Sequence, residues 1–146
     1  MGAVLLERVE LKAEHVSPCR KLLALKADFG LPSCKRLHKT DEFSSVFNFR
    51  CSVGSHFFQV FARPNTLTHP RLGLIVSRKV SKRAVDRNYI KRTIREFFRL
   101  NQQQFGSLDV VVRTKKLFGR SAHTDVHQEL LNLLGGLKKC RECSSS

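Results

Sequence analysis

With 146 residues, the chain has the length of one domain with a real hydrophobic core and is too short for two. Its 27 basic and 12 acidic residues give a net charge of +15, so the expected partner is RNA, DNA or an anionic membrane. A membrane is the weakest of these, because no apolar run approaches the roughly 18 residues that span a bilayer. Five cysteines, an odd number without the spacing of a disulfide framework, favour a reducing cytoplasm and give no reason to assume a disulfide.

The first 31 residues mix apolar and charged side chains without a settled period. Glu7, Arg8 and Glu10 interrupt what would be the apolar core of a signal peptide. We therefore expect residues 1–31 to form a poorly ordered extension of the chain. The folded domain is predicted at residues 32–139, and a flexible tail at residues 140–146.

A short amphipathic helix is predicted at the start of the folded domain. Thr40 is the expected N-cap, and two acids follow it in the first turn, where the helix dipole favours negative charge. Phe43, Val46 and Phe47 then recur at i, i+3 and i+4. This pattern predicts a helix that ends near Asn48.

Two strands are predicted next, with a turn between them. Residues 55–62 are rich in aromatic and β-branched side chains and lie between Gly54 and Pro64, which is typical of a strand. Alternation predicts two apolar faces, which carry Phe57, Gln59 and Phe61 on one side and Phe58, Val60 and Ala62 on the other. A further strand is expected over residues 71–77, and a short pairing segment around residues 50–53.

The most unusual feature is a basic helix predicted from Ala84 to about Gln104. Periodicity gives it one continuous cationic face, formed by Arg87, Asn88, Lys91, Arg92, Arg95 and Arg99. Its apolar side is predicted to carry Tyr89, Ile90, Ile94, Phe97 and Leu100, with Phe98 as an exception that projects from the basic side. An unpaired row of cations repels itself, so the pattern predicts an external polyanion, and nucleic acid is the natural candidate.

The rest of the chain is predicted to complete a small α/β layer. Residues 108–113 form a compact run typical of a buried strand, and a leucine stripe predicts a last helix that is capped by Thr124 or Ser121. Gly135 and Gly136 are positions at which this helix could end early. The order of elements is therefore α-β-β-β-α-β-α, a fold of class α/β in which three helices pack on a small mixed sheet of four strands.

No catalytic or metal-binding constellation is visible in the sequence. The twelve acids and six histidines are scattered, and none is spaced as a catalytic pair. Cys140 and Cys143 form a CxxC, with His123 and His127 before it, but a lone CxxC in a lysine-flanked tail is weak support for zinc. The sequence therefore indicates binding without chemistry, and no metal or cofactor held by the protein alone.

Four aromatic residues are candidates for a site beside the basic helix: Phe43, Phe47, Phe61 and Phe98. Each taken singly is more often a core residue. Single-stranded RNA is nonetheless held by aromatic platforms with cationic rims, and Phe61 with Phe43 and Phe47 could line such a groove.

These residues resemble a known family, the bacterial ribonuclease P protein subunit. The resemblance covers roughly residues 31–137 and rests on a long signature: Arg78-Lys79, Ala84-Val85, Arg87-Asn88, Lys91-Arg92, Arg95 and Phe98-Arg99. Arg36-Leu37, the Phe43 helix and Arg71-Leu72-Gly73 precede the signature in the family's order. The chain departs from the family pattern at Tyr89, where many relatives carry arginine, and in residues 80–83, where many have glycine.

The resemblance implies the small subunit of an RNA enzyme that removes the 5′ leader of precursor tRNA in the cytoplasm. Its partners would be the catalytic RNA and precursor tRNA, and the magnesium ions would belong to the RNA. It implies that the catalytic RNA is contacted by Arg78, Lys79, Arg87, Asn88, Lys91, Arg92, Arg95 and Arg99. It also implies that Phe43, Phe47 and Phe61 line the cleft for the leader. The family fold has a left-handed crossover through the basic helix, unlike most β-α-β units.

Two other classes of protein share parts of this pattern. A ribosomal-type structural RNA-binding protein would have the same charge, and a DNA-binding module would share the basic helix. Strands on both sides of that helix count against a helix-turn-helix, whose recognition helix follows another helix across a short turn. DNA is therefore not expected, and the RNA that co-purifies with the chain would separate the two RNA-binding classes.

Overall fold

The computed structural model describes residues 31–142. Except for Leu31, the predicted N-terminal extension lies outside these residues. Its helices are α1 (Thr40–Asn48), α2 (Ala84–Leu100) and α3 (His123–Glu142). Its strands are β1 (Ser52–Gly54), β2 (Phe58–Pro64), β3 (Arg71–Ile75) and β4 (Leu108–Thr114). Three single turns complete the fold: Ser33–Lys35, Gln102–Phe105 and Arg120–Ala122. The predicted order α-β-β-β-α-β-α is confirmed, although Leu31, assigned to the extension, is buried in the core.

The four strands form one mixed sheet in the order β1-β2-β4-β3. β2 pairs antiparallel with β1 and β4, whereas β3 pairs parallel with β4. The parallel pair requires a crossover, because two parallel strands cannot be joined by a tight turn, and α2 lies in that connection. The left-handedness of this crossover stays a prediction.

The alternation predicted for β2 divides the sheet into two different faces. Phe58, Val60 and Ala62 are buried against α2 and α3 in the main core, whereas Phe61 faces the other way, towards α1. Phe57, which was assigned to the face of Phe61, packs against the main core instead. It precedes the strand, which begins at Phe58 rather than at residue 55. Strand alternation does not extend beyond the paired residues.

Helix α2 docks on the main core through a stripe of buried residues: Ile90, Thr93, Ile94, Phe97 and Phe98. The assignments of Phe98 to the basic side and Leu100 to the apolar side are both wrong, since Phe98 is 1% exposed and Leu100 is 62% exposed. At about 100° per residue, Phe98 lies about 40° from Ile94 around the helix, whereas Leu100 lies about 120° away. The helix ends at Leu100, and a separate turn follows from Gln102 to Phe105.

Helix α1 begins as its acidic first turn suggests, but with a different cap. Its N-cap is Lys39 rather than Thr40, and the Glu42 carboxylate accepts hydrogen bonds from the backbone N–H groups of Lys39 and His38, at 3.1 and 2.9 Å. A glutamate at this position satisfies N–H groups that the helix leaves unpaired. After α1, Arg50 adopts a left-handed conformation with φ of 59°, which turns the chain towards β1.

Helix α3 passes through both glycines and continues to Glu142. A side chain at Gly136 would place its Cβ 2.8 Å from Cγ1 of Val53, so this glycine lets α3 lie close to β1. The end of the helix near Gly135 and Gly136, offered as a possibility by the sequence, does not occur. Residues 140–142, assigned to a flexible tail, form the last turn of α3.

The cysteine prediction also needs correction. Cys51, just before β1, is bonded through its Sγ to Cys140 in the last turn of α3, with a Cα–Cα distance of 5.9 Å. The two residues are 89 positions apart in the sequence, and the fold brings them together because α3 packs across β1. Cys143 lies outside the described residues. A CxxC zinc site is incompatible with this pairing, because the Cys140 sulfur is already bonded.

Candidate nucleic-acid interface

The predicted cationic face lies on α2 and on the loop before it. Arg78 and Lys79 are exposed in that loop, and Asn88 and Arg92 are exposed on the helix. The other members of the set are partly buried: Arg87, Lys91, Arg95 and Arg99. Periodicity therefore places the helical residues of this set on one side of α2. It does not distinguish the side chains that already bond within the protein from those that are free to bind an external anion.

Two of these arginines already have partners within the protein. Arg99 donates to both carboxylate oxygens of Glu96, at 2.5 and 3.1 Å. Arg87 donates from Nη1 to the backbone oxygens of Ser81 and Lys82, both at 2.9 Å, and so ties α2 to the preceding loop. The strongest demand for an external anion falls on the middle of the helix, at Lys91, Arg92 and Arg95.

Arg36 joins this group from a distant part of the chain. Burial lowers the pKa of Arg95, and the neighbouring positive charges of Arg36 and Arg92 lower it further. Arg36 donates from Nε to the backbone oxygen of Leu31 at 2.8 Å, which holds its guanidinium beside α2. Like charges held together in this way favour binding of an anion, because an anion relieves their repulsion.

These cations surround an open cleft of about 220 Å³ at the outer edge of β3. Its lining consists of Leu31, Arg36, Leu37, His38, Phe43, Leu72, Leu74, Lys91 and Arg95. The lining combines cationic and apolar side chains, and no carboxylate belongs to it. Such a cleft suits a phosphate beside a flat apolar group, which is the composition of a nucleotide.

The three aromatic candidates lie together between α1, which carries Phe43 and Phe47, and the sheet, which carries Phe61. All three are partly buried and pack around Leu37, Val46 and Val111. The Phe47 and Phe61 rings meet edge to face, with centroids 4.8 Å apart and an interplanar angle of 79°. Partly buried rings on a sheet surface present the edges and faces on which bases stack.

Gly73 determines how closely Phe43 approaches the sheet. A Cβ atom at position 73 would lie 2.5 Å from Cε1 of Phe43, so any other residue there would displace the ring. Phe43 belongs to both the aromatic cluster and the lining of the cationic cleft. The aromatic cluster and the cationic cleft therefore form one continuous surface, and the Phe43 ring lies where they meet.

Phe98, the fourth aromatic candidate, is not part of this surface. It is 1% exposed in the main core, and its ring centroid lies 4.6 Å from that of Phe105. Its assignment to a site beside the basic helix is therefore wrong. The residues that sequence reasoning missed are Arg36 as a member of the cationic cluster and His38 at its edge. Only the Arg36-Leu37 match to the family signature could have indicated either of them.

A partly buried ion network holds α1 over the sheet. Arg71 on β3 donates to Asp109 of β4 through Nε and Nη2, at 2.8 and 2.6 Å, and to Glu42 of α1 through Nη1, at 2.7 Å. The hydrogen bond with Asp109 raises the pKa of Arg71 despite the opposing effect of burial. This network fixes the helix that carries Phe43 and Phe47, and it engages the carboxylates of Glu42 and Asp109.

Over residues 31–142, no helix is long and apolar enough to cross a membrane. Within the same residues, no group of three or more histidine, cysteine or acidic side chains is placed to hold a metal ion. What the described surface offers is a row of cations, an open cleft and a set of partly buried aromatic rings. This combination of features defines an α/β protein that binds RNA.

Comparison with known proteins identifies the family. The family model described as Ribonuclease P matches residues 31–138. The ribonuclease P protein component of Chromobacterium violaceum is 56% identical over 111 residues, which cover 76% of this chain and 92% of that protein. The component from Methylococcus capsulatus is 44% identical over 123 residues, which cover 81% of this chain and 91% of that protein.

Solved structures agree with these sequence matches. The RNase P protein of Thermotoga maritima, in complex with 1-(4-fluorophenyl)-2-thiourea, aligns with a TM-score of 0.58 and 32% identity, and the alignment covers 68% of this chain and 96% of that one. A Staphylococcus aureus RNase P protein mutant aligns with a TM-score of 0.58 and 30% identity, over 74% and 89% of the two chains. The chain belongs to the ribonuclease P protein family. It is a protein component of ribonuclease P, the endoribonuclease of tRNA 5′ maturation, and it associates with the RNA of that enzyme.

Proposed function

We propose that the chain uses two neighbouring surfaces for two RNA partners. The cationic side of α2 and the loop before it bind the catalytic RNA, and the aromatic face under α1 binds the 5′ leader of precursor tRNA. The observation that carries the second assignment is the partly buried pair Phe47 of α1 and Phe61 of β2, which packs in one cluster with Phe43, a lining residue of the cationic cleft. A leader is single-stranded, so its bases are free to stack on such rings.

The division of labour follows from the chemistry of the side chains. Lys91, Arg92 and Arg95 contact phosphates of the catalytic RNA, because they have the least internal compensation on α2. Arg78, Lys79, Arg87, Asn88 and Arg99 extend this contact at its two ends. Arg87 and Arg99 contribute less, since each already donates to an acceptor within the chain.

The magnesium ions of the reaction are proposed to be held by the RNA. Two acids beside the aromatic face, Glu42 on α1 and Asp109 on β4, are bound to Arg71. A carboxylate that accepts hydrogen bonds from a guanidinium is a poor ligand for a hard cation. The chain therefore positions RNA rather than supplying the reacting groups, and we place its activity in the cytoplasm with precursor tRNA.

The test compares precursor tRNA with mature tRNA on the reconstituted holoenzyme. Phe61→Ala should weaken binding of precursor tRNA by about 1–3 kcal/mol, because one stacked base is lost. Binding of mature tRNA, which has no leader, should hardly change. Phe57→Ala is the matched control, since Phe57 is also partly buried but packs against the main core.

A thermal melt of each variant separates a lost contact from a lost fold. Equal losses for the two tRNAs, or an equal effect of Phe57→Ala on precursor binding, would refute the leader assignment. Selective loss for precursor tRNA in Phe61→Ala alone would support it.

A further inference from the structure

Cys51 and Cys140 join the edge of the sheet to the helix that packs against it. Cys51 is partly buried just before β1, and Cys140 is 1% exposed in the last turn of α3. β1 is the outermost strand of its side of the sheet and has only three residue pairs with β2: Ser52 with Phe61, Val53 with Val60 and Gly54 with Gln59. A strand held by so few pairs opens easily, and α3 is the element that covers it.

The contact between α3 and β1 places the two sulfur atoms within bonding reach in the folded chain. The Cα–Cα distance of 5.9 Å lies in the range of natural disulfides, and the absence of a side chain at Gly136 lets the helix approach Val53. The other described cysteine, Cys34, lies before α1 and has a disulfide bond of its own. No rearrangement of the fold is therefore needed to form or to break the bond.

We propose that Cys51 and Cys140 are a reversible oxidation site, at which a low-molecular-weight disulfide converts two thiols into a bond between β1 and α3. This rests on the proposed cytoplasmic location, where the resting state of the pair is the dithiol. The bond fastens the edge strand that pairs with Phe61, and so stiffens the border of the aromatic face without adding a contact to RNA.

The difference in burial assigns the order of the steps. The Cys51 thiolate attacks the disulfide of the oxidant, forms a mixed disulfide and releases one small thiolate. The Cys140 thiolate then attacks the Cys51 sulfur, the protein disulfide forms and the second small thiolate leaves. The protein loses two electrons and two protons, and the oxidant is reduced to two thiols. Cys140 acts second because its sulfur is closed off by the core.

Peptide mapping of the full chain gives a direct test. Trypsin cleaves after Arg50 and Arg71, so Cys51 falls in the peptide 51–71, since the bond after Arg63 precedes proline. Cleavage after Lys139 and Arg141 separates Cys140 from Cys143. The folded protein, incubated with oxidised glutathione and digested without reduction, should yield peptide 51–71 joined to the dipeptide 140–141. Reduction with dithiothreitol before digestion should abolish this species.

Stability provides the second measurement. The melting temperature of the oxidised protein should exceed that of the reduced protein by at least about 5 °C, because the bond closes a long loop. Hydrogen exchange should slow in the peptides that cover β1 and the last turn of α3. Cys51→Ser, which alters the partly buried partner, should lose the slowed exchange and the share of the melting shift that this bond supplies, whereas the control Ser52→Ala, at the exposed next position, should keep both.

Each contrary result would overturn the proposal. A joined peptide that forms only in urea would mean that the folded protein does not react. Glutathione retained on Cys51 without transfer to Cys140 would contradict the second step. A melting temperature that does not change on oxidation would show that the bond does not stabilise the packing of β1 against α3. If Cys51→Ser folds poorly, Cys140→Ala serves as the second variant, with the same expected loss.

Discussion

The two faces of the sheet are built from the same strands but are closed to different extents. The face under α2 and α3 buries the main core, including Phe58, Val60 and Val112. Among the described residues, the face under α1 has three buried hydrophobic residues, Leu37, Val46 and Val111, with partly exposed rings around them. A nine-residue helix cannot cover a sheet that a helix of 17 and a helix of 20 cover on the other side. The face under α2 and α3 therefore contributes most of the stability, and the opposite face, under α1, is the one that remains open for binding.

The largest effect should come from truncation of a ring on the closed face. Phe58 is fully buried beside Phe118, with ring centroids 5.6 Å apart, so Phe58→Ala should cost about 3–5 kcal/mol of unfolding free energy. Urea denaturation measures this loss. Phe61→Ala, the same change on the open face, should cost clearly less. Equal losses would mean that both faces serve as core and would break the comparison.

The next effect concerns the network that holds α1 over the open face. Asp109→Asn leaves Arg71 without its main charge partner at a site where Asp109 is 4% exposed, so about 3 kcal/mol of stability should be lost. The measurement is again urea denaturation. Asp125→Asn, an exposed acid in the first turn of α3, is the control and should cost less than about 1 kcal/mol. A similar loss in both variants would indicate a general charge effect.

A smaller effect tests whether RNA binding depends on the cationic side of α2 or only on the net charge of the protein. The double change of Lys91 and Arg95 to alanine should weaken binding of the catalytic RNA and reduce the slope of log K against log salt by up to roughly two units. Titration at several salt concentrations gives this slope. The matched control replaces Lys138 and Lys139, which are exposed on α3, and should leave the slope nearly unchanged. Equal reductions would show that RNA responds only to net charge.

Sequence reasoning predicted the closed face better than the open one. The period of β2 separated Phe58 from Phe61, because the two faces of a strand alternate whatever packs on them. The cluster of Arg36 with Arg95 could not be predicted, since the residues belong to different elements and meet only through the register of β3. The pairing of Cys51 with Cys140 could not be predicted for the same reason. The pattern within one element is local, whereas these contacts depend on how the elements are assembled.

The boundary error at Phe98 has a different physical cause. Periodicity gives an angle around α2 but not the width of the buried sector. The turn from Gln102 to Phe105 folds back and places Phe105 against Phe98, which widens that sector. An isolated helix would have left the ring at the edge of its apolar stripe. The exposure of Leu100 follows from the same packing. At the end of α2 the core contacts the side of the helix that carries Phe98, and Leu100 lies on a different side.

The smallest predicted effect is a pH dependence at the anchor of the open face. Burial raises the pKa of Glu42, but hydrogen bonds from the N–H groups of His38 and Lys39 and from Arg71 outweigh it, so the net shift is downward. A carboxylate with a lowered pKa stabilises the fold above its unfolded pKa of about 4.3, and loses this contribution as the pH falls through the folded value. Glu42→Gln, which keeps an acceptor oxygen but removes the charge, should therefore cost about 1 kcal/mol at pH 7.

The difference in unfolding free energy between wild type and Glu42→Gln should shrink as the pH falls below about 4, because the wild-type carboxyl is then also neutral. Taking the difference cancels the titration of the other acids, and Glu142→Gln, an exposed acid at the end of α3, provides a control with no expected trend. A gap that stays constant down to pH 2 would assign the effect of Glu42 to its shape rather than its charge. The open face would then be anchored by Asp109 and Arg71 alone, and acid would leave α1 in place until those two groups separate.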